Sequence, residues 1–311
     1  SVFECVTDRS ECWNGFADGA PCVLGIDEAG RGPVLGAMVY GCAVSPVSAA
    51  EDLKELGVAD SKALTEEKRE QIFHKMRKDD NVKKIVAYGL RALSPQLISA
   101  AMLQRAKCSL NQLSHDAAIA LIKDALDCNI NVVEVLSVFH FSIFIFSRMQ
   151  IFVDTVGPKA TYQSKLESIF PGISITVTEK ADALFPVVSA ASIAAKVTRD
   201  TLLKEWKYQE KNDRLSEVPF GSGYPSDPNT KTFLQKTVDG VFGYPNLIRF
   251  SWKTVDNILD KKGIELKWEA EDEDEGGKQS LSKMWGSSKE LSKEKRNTFY
   301  TDRKLVNACT F

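Results

Sequence analysis

The sequence predicts an α/β protein: a mixed sheet of five strands with helices on its faces, followed by a small C-terminal helical extension. Three observations carry that reading. Short apolar runs rich in strand formers alternate with longer stretches of helical periodicity. Gly, Pro and capping residues stand where those runs end. The 311 residues are 43% hydrophobic and 26% charged, which supplies a sizeable core and excludes a chain disordered throughout.

The elements follow in order. Cys22 to Ile26 is an apolar strand that ends at Asp27. Gly30, Gly32 and Pro33 make a turn, and Val34 to Val44 returns as a second strand, so the pair is a β-hairpin. Thr65 is an N-cap with Glu66 and Glu67 in the first turn, and the helix runs to about Lys78. Val82 to Leu90 is a strand. Ser94-Pro95 opens one or two helices that reach about Asp127. Phe152-Val153-Asp154 ends a strand, Lys159 to Phe170 is helical until Pro171-Gly172 stops it, and Ile173 to Thr178 alternates as a strand. Ser189 to about Asn212 reads as one long helix. On it Lys196, Arg199, Lys204, Lys207, Lys211 and Arg214 fall within an arc of roughly 140° at about 100° per residue, a phosphate-facing stripe that Asp200 and Glu210 interrupt.

Asp227 to Thr237 and Ser251 to Lys262 form the helical extension. The plan is therefore an N-terminal segment at 1–20, a catalytic domain at 21–215, the extension at 216–268 and a tail at 269–311. The tail opens with the acidic block Glu269 to Glu275 and continues Ser/Lys-rich, a composition that predicts disorder.

Several function classes recede. Formal net charge is −2, so no bulk cationic character advertises a polyanion partner. Seven cysteines without a C-x-x-C pair argue against a disulfide framework or zinc ribbon and fit a reducing compartment. Three histidines argue against a His-rich metal site. Ser1 to Ala20 lacks the apolar core of a signal peptide. The run from Val132 to Val153 is long enough for a membrane, but Glu134, His140 and Arg148 interrupt it, each costing about 2.5–3.5 kcal/mol in a span. A span there would also cut the sheet in two. Residues 136–151 read instead as an atypical apolar insertion just upstream of Asp154.

Chemistry concentrates at strand ends. Asp27 and Glu28 are adjacent, and neighbouring side chains on a strand face opposite ways. Both can serve one site only where the strand ends. Asp154 again follows apolar strand residues, and Asp182 directly precedes a long helix. Together they bring four carboxylates to one sheet edge. Two unit charges about 4 Å apart repel by roughly 4 kcal/mol at an effective dielectric of 20. Divalent cations relieve that, and hard oxygen donors select magnesium or manganese over zinc. Two ions about 4 Å apart on four acids is an arrangement for phosphodiester hydrolysis. A dinucleotide-binding loop is the weaker reading of Gly30, Gly32 and Gly36, since Val34 to Val44 reads as strand and that fingerprint opens a helix.

G-I-D-E-A-G-R-G-P-V-L-G at 25–36 resembles the signature of type 2 ribonuclease H, the ribonuclease HII family. So do A-D-S-K at 59–62, F-V-D-T-V-G at 152–157 and the run K-A-D-A-L-F-P to V-T-R-D at 180–200. G-S-G-Y-P-S-D-P at 221–228 and the later F-G-Y-P and R-F-S-W runs are similar to its eukaryotic members. The resemblance implies a ribonuclease H-like fold and an endonuclease that hydrolyses the RNA strand of RNA/DNA hybrids and cuts 5′ of single ribonucleotides in duplex DNA. It assigns Asp27, Glu28, Asp154 and Asp182 to two Mg2+ ions, with Mn2+ as substitute. It assigns Gly30, Arg31 and Gly32 to the ribose 2′-hydroxyl, Tyr224 to the next deoxyribose, and Lys62 and Arg199 to the nucleic-acid backbone. It also implies two accessory subunits in a heterotrimer and a nuclear location. The alternative is a catalytically silent structural subunit, or a splice variant, whose site the insertion at 136–151 disturbs.

Overall fold

The computed structural model describes residues 5–16, 20–58, 64–131, 149–210 and 214–264. Six strands form one mixed sheet: β1 (Cys5–Arg9), β2 (Cys22–Ala29), β3 (Met38–Pro46), β4 (Ala87–Leu93), β5 (Met149–Asp154) and β6 (Ile173–Thr178), in the spatial order β1-β4-β3-β2-β5-β6. The first four pair antiparallel, whereas β2/β5 and β5/β6 are parallel. The sixth strand corrects the expected five. β1 lies on the edge against β4, and Cys-Val-Thr-Asp-Arg has no apolar alternation of its own, so the open edge of β4 supplies what the local pattern lacks.

Helices cover both faces: α1 (Ala50–Glu55), α2 (Glu66–Lys78), α3 (Pro95–Leu103), α4 (Leu110–Asp127), α5 (Lys159–Ile169), the single turn α6 (Ala181–Leu184) and α7 (Pro186–Lys204). The extension adds α8 (Arg214–Glu217), α9 (Pro228–Thr237) and α10 (Lys253–Lys262). Thr65 and Ser94 cap α2 and α3 as expected, accepting from Lys68 N and Leu97 N. Leu24, Ile26, Met38 and Val44 pack against α4 and α5, while Val39 and Ala43 pack against α2 and α7. A third cluster, with Val34, Leu35, Phe233, Leu247 and Ile248, binds the extension to the rest.

The approach of α7 to the sheet is unusually close, because Ala190, Ala191, Ala194 and Ala195 present almost no side chain. At Gly41 of β3 a Cβ would lie 2.4 Å from the carbonyl oxygen of Ala191, so only glycine fits beneath the helix there.

α7 ends at Lys204, eight residues short of the expected limit. Trp206 and Tyr208 leave the helical path to pack into the third cluster, so tertiary burial overrides the charged, helix-prone sequence. The basic stripe is broken accordingly, since Lys207 and Arg214 do not belong to α7, and Lys211 lies outside the described residues. The strand expected from Val82 begins at Ala87 instead, after a short 3-10 turn at Val82–Lys84.

Within the insertion, 136–148 lies outside the described residues, as do Lys62 and the acidic tail. Met149 to Ile151 does form the lead-in to Asp154, with Leu24 opposite Ile151 and Ile26 opposite Val153. No helix among the described residues is long and apolar enough to cross a membrane. Residues 1–264 and 265–311 form separate units.

Candidate active site

Asp27 and Glu28 occupy the last turn of pleat before β2 ends. Asp27 faces α7, where Ser192 donates to its carboxylate, and the amide of Glu28 donates to its Oδ1 at 2.7 Å. Glu28 stands opposite Tyr40 in the ladder, on the α4 face. The adjacent parallel strand β5 ends at Asp154. Carboxylate oxygens of Asp27, Glu28 and Asp154 all lie within 4.8 Å of one another. The backbone thus does what strand geometry demands: two neighbouring acids on opposite faces meet a third only by curling round the strand end.

Phe152, two residues before Asp154, stacks on Phe185 with ring centroids 4.0 Å apart. The Ala181 amide donates to Asp154 Oδ1 at 3.0 Å, which ties α6 to the cluster. Asp182, also on α6, lies outside that group of three. It is buried, and its Oδ2 lies 3.9 Å from Lys196 Nζ of α7.

Burial dominates the electrostatics. It pushes Asp27 up to about 7, with the Asp154 charge adding and Ser192 and Lys196 opposing. It pushes Glu28 up to about 8, with Asp27 and Asp154 adding and Arg31 opposing. Three crowded carboxylate oxygens, two of them on groups that burial holds back from ionising, fit a hard divalent cation, which would favour the charged forms of Asp27 and Glu28. Asp27, Glu28 and Asp154 are the residues placed to hold one.

Beside the acids, a cleft of about 430 Å³ is lined by Arg31, Arg69, Lys196 and Arg199 among others, with Glu28 and Tyr224 at its sides. The turn Gly30-Arg31-Gly32 also lines it. Gly30 has φ +78°, and a Cβ there would meet the Ala37 carbonyl oxygen at 2.7 Å.

The turn is held from behind by residues whose role no local sequence pattern signals. Arg249, fully buried, donates from Nε to Gly36 O at 2.9 Å, from Nη1 to Arg31 O at 3.1 Å and from Nη2 to Gly30 O at 2.6 Å. Trp252 Nε1 donates to Gly32 O at 3.1 Å, and the Arg249 guanidinium lies 4.8 Å from the indole. The peptides are trans. Turning the carbonyls of Gly30 and Arg31 toward Arg249 therefore points the amides of Arg31 and Gly32 away from it.

The Arg31 side chain is turned toward α4, where it donates to Ser114 Oγ at 2.8 Å and to Asn111 Oδ1. Arg199 bridges α7 to the loop that carries Tyr224, donating to Ser222 O at 2.9 Å and pairing with Asp200 at 2.8 Å. Tyr224 is 44% exposed and sits beside Gly32. Lys204 is engaged by Glu66 and Glu70.

A family model described as Ribonuclease HII matches residues 24–255. The chain belongs to the ribonuclease HII family. It is a ribonuclease H enzyme. A Caenorhabditis elegans relative, named as one of the subunits of ribonuclease H2, is 55% identical over 311 residues, covering 99% of each chain. The human protein of the same name is 46% identical over 290 residues, covering 93% of this chain and 90% of its own. Among solved structures, ribonuclease H2 from Pyrococcus horikoshii OT3 superposes with a TM-score of 0.57 at 31% identity, covering 77% of this chain and 98% of that one. A ribonuclease HII from Archaeoglobus fulgidus, solved in complex with PCNA, gives 0.56 at 28% identity over 80% and 99%. The family match thus spans both the three acids and the buried Arg249 behind the turn.

Proposed function

We propose that this ribonuclease H hydrolyses the RNA strand of RNA/DNA hybrids and cuts 5′ of single ribonucleotides embedded in duplex DNA. The observation that carries the reading is the meeting of Asp27, Glu28 and Asp154 within 4.8 Å beside a turn whose amides face outward. Two divalent ions, Mg2+ or Mn2+, on these acids and Asp182 would supply an activated water and neutralise the leaving 3′-oxygen.

The chain's own residues do the rest. Outward amides of Arg31 and Gly32 are placed to meet the ribose 2′-hydroxyl, the group that separates RNA from DNA. Lys196 and Arg199 give the cleft a positive wall for the phosphates. Tyr224 is placed to pack on the deoxyribose that follows. Water adds to phosphorus as the P–O3′ bond breaks; the upstream fragment keeps a 3′-hydroxyl and the downstream one a 5′-phosphate. Because the relatives are named as a subunit, the chain is proposed to work in a complex with accessory subunits; that these number two and that the complex is nuclear rests on the family resemblance alone.

The test uses the full chain with its co-purified partners, magnesium and two duplexes: an RNA/DNA hybrid and a DNA duplex carrying one ribonucleotide. Both are cut by the native protein. Asp27→Asn lowers cleavage by more than about 100-fold, beyond what the loss of an outer-shell partner gives. Undiminished activity in that variant would remove the assignment.

A further inference from the structure

The Gly30-Arg31-Gly32 turn has two flanks. One is the cleft that holds the acids. The other is a groove of about 430 Å³ that shares Arg31 and Gly32 and is otherwise lined by Met102, Leu110, Ser251, Trp252 and Lys253. The geometry points to this groove as the seat of the complementary DNA strand, the strand that is not cut. The inference rests on the reading that the turn's outward amides meet a ribose 2′-hydroxyl.

In an A-like duplex those hydroxyls line the wide, shallow minor groove. A protein turn that touches them stands between the two backbones. With the cut strand on the side of Asp27 and Glu28, its partner falls on the opposite flank, across Gly32. The lining there suits deoxyribose. Met102, Leu110 and the indole offer apolar surface, and the polar atoms beside them are already engaged: Ser251 Oγ with Met102 Sδ at 3.3 Å, and Trp252 Nε1 with Gly32 O. The indole is a fixed platform, held by that bond and by Arg249. Cations complete the site. Lys253, paired with Asp256 at 3.0 Å, stands on the rim with 75% of its side chain exposed and can exchange that solvated carboxylate for a phosphate, and the loop between Met102 and Leu110 carries Arg105 and Lys107, both exposed. A strand of phosphates and deoxyriboses matches that pattern of apolar floor and cationic edge.

The experiment places 5-bromodeoxyuridine, near the ribonucleotide, either in the complementary strand or in the DNA flank of the cut strand. The duplex is bound by the full chain with its partners and irradiated, and crosslinked peptides are mapped. Crosslinks to Trp252 are expected from the complementary strand. In parallel, the Lys107→Ala/Lys253→Ala double variant is expected to lower the slope of log affinity against log salt by about 2. Crosslinks to Trp252 from the cut strand, or an unchanged salt slope, would overturn the assignment. Binding and crosslinking do not require cleavage, so a failure of the hydrolytic reading shows separately, in the Asp27→Asn assay.

Discussion

Arg249 is a buried cation whose fork is met, among the described residues, by three carbonyls 213, 218 and 219 positions away rather than by a carboxylate. Replacing it with methionine leaves those oxygens buried without their donor, at about 1–3 kcal/mol for an unsatisfied group. We expect Arg249→Met to lower the thermal midpoint and to weaken discrimination between hybrid and all-DNA duplexes in a competition binding assay. Arg249→Lys should not restore either, because a single ammonium cannot span a planar fork's acceptors. This residue was illegible in the sequence, since nothing local says that an arginine in R-F-S-W is buried. The acids were legible for the opposite reason. Asp27 and Asp154 each end an apolar strand run, and that local pattern places them at a rim. The anchorage of the Arg31 side chain was equally illegible, because its partners Asn111 and Ser114 lie 80 and 83 residues away.

The same division holds for elements. The hairpin of β2 and β3, the capped helices α2 and α3, and α5 and β6 follow from caps, turns and periodicity. The end of α7 and the edge strand β1 do not, because partners distant in sequence decide them. The contact between α7 and β3 is tested by Gly41→Val. With Ala191 O only 2.4 Å from the new Cβ, overpacking should cost at least about 1–3 kcal/mol. Denaturant unfolding should show a lower midpoint, and cleavage should fall with it, since α7 carries Ser192 and Lys196 to the acids. An unchanged midpoint would mean that the helix does not press on the sheet there.

For the molecule as a whole, the acid cluster sets a pH dependence. Unfolded, Asp27 and Glu28 titrate near 3.8 and 4.5; folded and without cation they are raised to about 7 and about 8. Between those limits the folded chain holds protons that the unfolded chain has lost, so stability falls as pH rises through the window and levels off above it. Thermal midpoints measured in chelator from pH 4 to 9 should show that decline. Magnesium at pH 8 should reverse it, by about 2.7 kcal/mol at a hundred times the dissociation constant. Asp27→Asn should flatten much of the slope and lose much of the rescue. A midpoint insensitive to pH in chelator would contradict the burial of the pair.

The Arg249 clamp also has a consequence for how such an enzyme fails. The acids proposed to cut ride on the sheet, whereas the peptide proposed to sense sugar identity is anchored by the C-terminal extension, more than two hundred residues downstream. On that proposal, cutting power and sugar proofreading have separate foundations. Damage confined to the extension would then leave the blade intact and blunt its judgement, making the extension a custodian of fidelity rather than an ornament of the fold.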